Sequence, residues 1–236
     1  MPRLDGFGTG GPLSFLALVG LLMLAAPAPT PTPAPDPAAD LNRLFEIAGA
    51  YPPRLTGPAD RARAEALWFR VRSALESASA GRPNDYRTHL ALGLLYRCGY
   101  NLDLKEATSS DLVVRHFKAA SVLEPLKSEP HYESGEFLLT TGRFEEGKRE
   151  LDLALSLATD ADKPPIIHNL CFAAYYLKDF RQAVTVCTQA LAFAPDHPGL
   201  KIILERSQAV LGGGPPPETI VIPAEDVPDG KIIRPQ

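Results

Sequence analysis

The sequence predicts an all-α protein, a stack of antiparallel helical hairpins, and three observations carry that prediction. Apolar and small residues recur at three- and four-residue intervals through the interior of the 236-residue chain, the spacing that gathers side chains on one helical face. Small residues also keep a longer ruler. Cys171 to Ala190 spans 19 residues, Ala183 to Ala190 spans 7 and Ala190 to Pro195 spans 5; Gly135 to Ala154, Gly147 to Ala154 and Ala154 to Thr159 repeat those values. Finally, the 24 prolines cluster toward the two ends, which makes the ends poor candidates for the folded part. A striped hairpin of this length cannot bury both of its faces alone, so each needs neighbours of its own kind.

Residues 1–28 read as an export or anchoring segment. Arg3 precedes an uncharged run, LSFLALVGLLMLAA, from Leu13 to Ala26. Fourteen residues suit a signal-peptide core, whereas a membrane span needs about 20; counting the glycine-rich flank from Gly6 to Ala28 reaches that length. Ala26-Pro27-Ala28 has the form of a cleavage site, yet Pro29 follows it with a fixed φ and no N–H. Cleaved signal and uncleaved anchor therefore stand as rival readings. Residues 29–40 alternate proline with Ala, Thr and Asp, a composition that predicts an extended spacer of roughly 3 Å per residue.

Residues 41–85 predict two helices, Leu41 to Ala50 and Ala59 to Ala80, forming an atypical leading hairpin whose Val71, Ala78 and Pro83 keep the 7 and 5 spacings. Residues 86–127 form the first clear hairpin. Gly93 to Ala120 is 27 residues, the usual 19 with an insertion of 8 between Cys98 and Asp111. Thr108 and Asp111 in that insertion have the spacing of a capping box. Residues 128–163 and 164–197 are the second and third hairpins, the third ending at Pro195. Residues 198–211 predict a closing helix with Asp196 as its N-cap, turning Leu200, Ile203, Leu204 and Val210 inward. Residues 212–236 begin with a glycine- and proline-rich break and predict a disordered tail with short apolar runs at Thr219 to Ile222 and Lys231 to Ile233.

At Leu92-Gly93-x-x-Tyr96, the small residues at the helix crossings, Phe117 and Leu151 one turn away, and the closing prolines, the chain resembles the tetratricopeptide repeat, over Tyr86 to His197. The resemblance implies a right-handed α-solenoid with a concave binding face lined by the first helix of each hairpin. It places Arg87, Leu90, Leu94 and Arg97, then Tyr132, Glu133, Glu136 and Leu139, then His168, Asn169, Phe172, Tyr175 and Tyr176 off the packing stripe and toward that face. A protein or peptide partner is the implied ligand, since aromatic rings beside a few polar groups suit a peptide groove. A rival reading packs Phe172 and Tyr175 under the closing helix. Family members that grip acidic C-terminal tails use Lys, Asn and Arg where this chain has Leu90, Leu94, Glu133 and Pro165, which argues against that ligand.

Composition excludes some functions. A net charge of −4 leaves no basic excess to neutralise phosphates, so nucleic acid is not an expected partner. No nucleophile elbow, phosphate loop, HExxH motif or paired-carboxylate motif is present, so neither a catalytic residue nor a cofactor is assigned. His168 and Cys171 have metal-ligand spacing on a helix, but one pair is not a site, and no metal is expected. Cys171 and Cys187 sit on facing stripes of one hairpin, where they are either a disulfide staple or two small buried hydrophobes; Cys98 is left over in either case.

The expectation is an interaction module that is exported, to a periplasm or the exterior, or held by its N-terminus at an inner membrane. The alternative is a structural subunit of an envelope assembly that uses its convex face and C-terminal tail, with an enzyme as a minor third reading.

Overall fold

The computed structural model describes residues 36–216, and these form nine α-helices and one short 3-10 turn, with no strand among the described residues. The expectations for a signal or anchor, most of the proline spacer and the apolar runs of the tail lie outside the described residues.

The first helix, α1 (Pro37–Ala48), starts inside what composition assigned to the spacer. The Asp36 carboxylate accepts from the N–H groups of Ala38 and Ala39, and Pro37 occupies the first turn, where a missing donor costs nothing. Helix α2 (Pro58–Gly81) runs 24 residues, about 36 Å at 1.5 Å per residue. Three hairpins follow: α3 (Tyr86–Asn101) with α4 (Ser110–Leu123), α5 (Glu129–Thr140) with α6 (Phe144–Leu157), and α7 (Lys163–Tyr176) with α8 (Phe180–Phe193). Helix α9 (Pro198–Leu211) closes the series.

The partners in these three hairpins make the most extensive contacts, and successive layers meet through α2 on α3, α4 on α5, α6 on α7 and α8 on α9. Among the three hairpins the first helices touch one another only lightly, whereas α1 packs on α3 as extensively as on α2. This is a solenoid of helix pairs, as the small-residue ruler predicts. Its interior divides into two clusters, one around Trp68, Leu92, Leu95 and Phe117, the other around Leu151, Cys171, Tyr175, Cys187 and Leu200.

The crossing points explain the ruler. A Cβ on Gly93 would lie 2.4 Å from the Phe117 ring, and one on Gly135 would lie 2.7 Å from Leu151 Cγ and 3.0 Å from the Gly147 carbonyl oxygen. Backbones come this close only where one helix gives up its side chain. At the same position of the third hairpin stand Cys171 and Cys187, and there the structure forms a disulfide across a Cα separation of 4.8 Å. The repeat thus fills one geometric slot three ways: glycine under phenylalanine, glycine under leucine, and a covalent bond.

Two caps differ from expectation. Thr108 does not cap α4; its hydroxyl turns back to the Lys105 carbonyl, and Ser109 takes the cap position without a side-chain bond. Asp196 does not cap α9; its carboxylate pairs with Lys201, while His197 Nδ1 accepts from the Leu200 N–H. In both cases the residue one step nearer the helix takes the position, because its backbone is extended, as an N-cap requires. The insertion is structural: Leu102, Leu104 and Ala107 are buried, and Arg61 donates from Nη1 to the Leu102 carbonyl at 2.8 Å.

Candidate functional site

The site assembles around α3, α5 and the C-terminal end of α1. Arg97 lies in the last third of α3, with its side chain 4% exposed, and its Nη1 donates to Glu133 Oε2 at 2.9 Å and to Glu136 Oε2 at 3.1 Å, both on α5. Glu133 and Glu136 are three residues apart, so one helical face presents both carboxylates to the same guanidinium. Burial by itself pulls the Arg97 pKa down, but Glu136 and Glu133 more than offset it, so the group is held firmly charged. On its other side the Arg97 guanidinium carbon sits 5.4 Å from the centre of the Phe45 ring of α1.

Helix α1 reaches this place because it packs on both α2 and α3, and Asn101 of α3 donates to the Ala48 carbonyl at 2.9 Å. The chain then turns so that the Arg54 N–H bonds the Ile47 carbonyl at 2.7 Å. The result is an open hollow of about 360 Å³ lined by Phe45, Glu46, Ile47, Arg54, Arg97, Tyr132, Glu133 and Glu136, with Gly49 and Ala50 at its edge.

Tyr132 forms the far wall. Burial, with Glu136 and Glu133 adding to it, raises its pKa and keeps the phenol protonated, an O–H beside two carboxylates. Beyond Tyr132 lies a second hollow, also about 360 Å³, lined by Pro164, Pro165, His168, Ala190, Phe193, Ala194 and His197. Here the Nε2 atoms of His168 and His197 are 3.0 Å apart. Because His197 Nδ1 accepts from the Leu200 N–H, its proton is on Nε2 and is donated to His168. The spacing of His168 to Cys171 leads to no shared ligand: Cys171 is spent in the disulfide, and no group of three metal-ligating side chains occurs among the described residues.

The residues expected on the binding face do not all reach it. Arg97, Tyr132, Glu133 and Glu136 converge on the first hollow, and Tyr132, Pro165 and His168 on the second. Leu90, Leu94 and Phe172 are half-buried packing residues, and Leu139 is in the core. Tyr175 is a correction: it is 0% exposed, edge-on to Tyr176 and Phe180, because α7 is covered by α6, α8 and α9 and has too little free circumference for a second aromatic face. Tyr176 stacks on Phe144 with ring centres 4.7 Å apart, and burial, with Tyr175 adding, pushes its pKa up to about 12. Asn169 is buried beside the Tyr132 phenol. Arg87 is exposed on the first turn of α3, away from both hollows.

Sequence reasoning missed Phe45, Glu46, Ile47 and Arg54 entirely, and also Phe193 and His197. The stripe of α1 was legible, but nothing in it signalled that the helix end would lean across α3. No protein-family model matches the chain, and no curated protein matches it.

Proposed function

We propose that this protein is an interaction module of the tetratricopeptide-repeat kind, holding an extended segment of a partner protein against the face built by α3, α5 and α7. The observation that carries the reading is the pair of open hollows flanking Tyr132, floored on one side by the network of buried Arg97 and Glu136 with half-buried Glu133. A buried ion network costs desolvation that apolar residues would avoid, so its presence beneath an open surface supports recognition more than stability. Open hollows on stacked hairpins suit a long, shallow ligand better than a small substrate that must be sealed from water.

The uncharged N-terminal run and the Cys171–Cys187 disulfide together support a site of action outside the cytoplasm, as a released protein or one tethered by its N-terminus. A photo-crosslinking residue at Tyr132 in the full chain tests the reading in cells, with one at exposed Arg115 of α4 as control. Crosslinks from Tyr132 and none from Arg115 are expected; the reverse pattern sinks the proposal.

A further inference from the structure

The first hollow has a charge preference. Among the described residues its lining carries three carboxylates, Glu46, Glu133 and Glu136, against two guanidiniums, Arg54 and Arg97. Helix α1 also ends against this space: Glu46, Ile47 and Gly49 line it, and a helix C-terminus carries the negative end of the backbone dipole. The walls include the rings of Phe45 and Tyr132, whose faces attract cations. With one more carboxylate than guanidinium in the lining, an incoming carboxylate meets a net negative wall, whereas a lysine or arginine side chain meets Glu46 on one side, the Glu133 and Glu136 face of α5 on another, and aromatic rings, in a space of about 360 Å³.

The second hollow differs in kind. Prolines 164 and 165, Ala190, Ala194 and Phe193, the last 56% exposed, make an apolar floor, and its two histidines bond each other. Tyr132 borders both hollows. A chain crossing Tyr132 in extended form therefore offers one side chain to each.

We infer that the partner segment carries a lysine or arginine that enters the hollow between α1, α3 and α5, and an apolar side chain that lies in the hollow beyond Tyr132. This rests on the interaction-module reading and adds the partner's chemistry to it. Charge complementarity selects the basic residue, and apolar burial against Phe193 selects its companion.

The test uses the full chain and two pools of fluorescein-labelled, glycine- and serine-spaced peptides. One pool fixes arginine or lysine with leucine at varied separations; the other puts glutamate in place of the basic residue. Fluorescence anisotropy at low salt is expected to favour the basic pool by about tenfold. Glu46 is exposed on α1, so Glu46→Lys leaves the fold intact and should remove most of that preference, while Phe193→Ser should weaken both pools alike. Equal binding of the two pools, a preference for the glutamate pool, or a preference untouched by Glu46→Lys overturns the inference. Binding of neither pool also overturns it. The broader reading then stands if crosslinking in cells still depends on Tyr132, and falls with it if not.

Discussion

Replacing both Cys171 and Cys187 by alanine should remove the covalent tie between α7 and α8 and leave the hairpin otherwise packed. The bond spans 16 residues of sequence, and closing a loop of that size removes about 3 kcal/mol of conformational freedom from the unfolded chain. For a domain of this size that corresponds to a fall of roughly 6–12 °C in Tm. The loss should not be spread evenly, because each hairpin of a stack is supported only by its neighbours. Amide hydrogen exchange is therefore expected to accelerate in α7, α8 and α9 while α3 and α4 keep their protection. Urea unfolding of the wild type in strong reductant should reproduce the variant, and thiol titration of the oxidised wild type in denaturant should report one reactive group, Cys98. Three thiols in protein taken from an oxidising compartment, or a double variant with an unchanged urea midpoint, would refute the staple.

Other perturbations probe the remaining parts. Gly93→Ala and Gly135→Ala each drive a methyl into the opposing helix and should cost about 1–3 kcal/mol by thermal melting, whereas Gly81→Ala, with open space around it, should be neutral or slightly stabilising. Arg97→Met leaves the buried Glu136 and the half-buried Glu133 without their counter-charge and should cost about 3–5 kcal/mol in urea unfolding, part of it recovered by adding Glu136→Gln. Burial, with His89 and Arg115 nearby, lowers the His116 pKa to about 4, so the folded protein holds this ring neutral where the unfolded chain would protonate it. Its contribution is complete above about pH 6.5 and is lost as pH falls from there toward 4. Allowing for the half-exposed ring, that is on the order of 1–2 kcal/mol, and His116→Gln should flatten the stability profile across that window.

The hairpins were legible because their spacing is set by contact distance. A glycine must face Phe117 or Leu151 at a fixed place on each pair, and that requirement writes itself into the chain as constant intervals. The start of α1 was hidden because its cap and first-turn proline, Asp36 and Pro37, are also residues a spacer would use. Tyr175 was misplaced because α7 is apolar on several sides, so periodicity alone does not separate its covered faces from its free one. The first hollow was only half readable. Arg97, Glu133 and Glu136 sit on the expected helices, but their enclosure depends on α1 crossing α3, a contact between residues some fifty apart that leaves no periodic trace.

Cys98 also bears on how the chain reaches its oxidised form. Three thiols allow three pairings, and the two wrong ones must close loops of 73 and 89 residues rather than 16. Chain statistics alone favour the short loop over the shorter of the wrong ones by about 1.3 kcal/mol, roughly a factor of ten, before any helix has docked. Once α3 is in place the remaining thiol is fully buried and its pKa is pushed up to about 12, so almost none exists as the thiolate that attacks disulfides. An odd cysteine is ordinarily a hazard to a protein folding in oxidising surroundings; here its distance along the chain and its later burial make it a bystander.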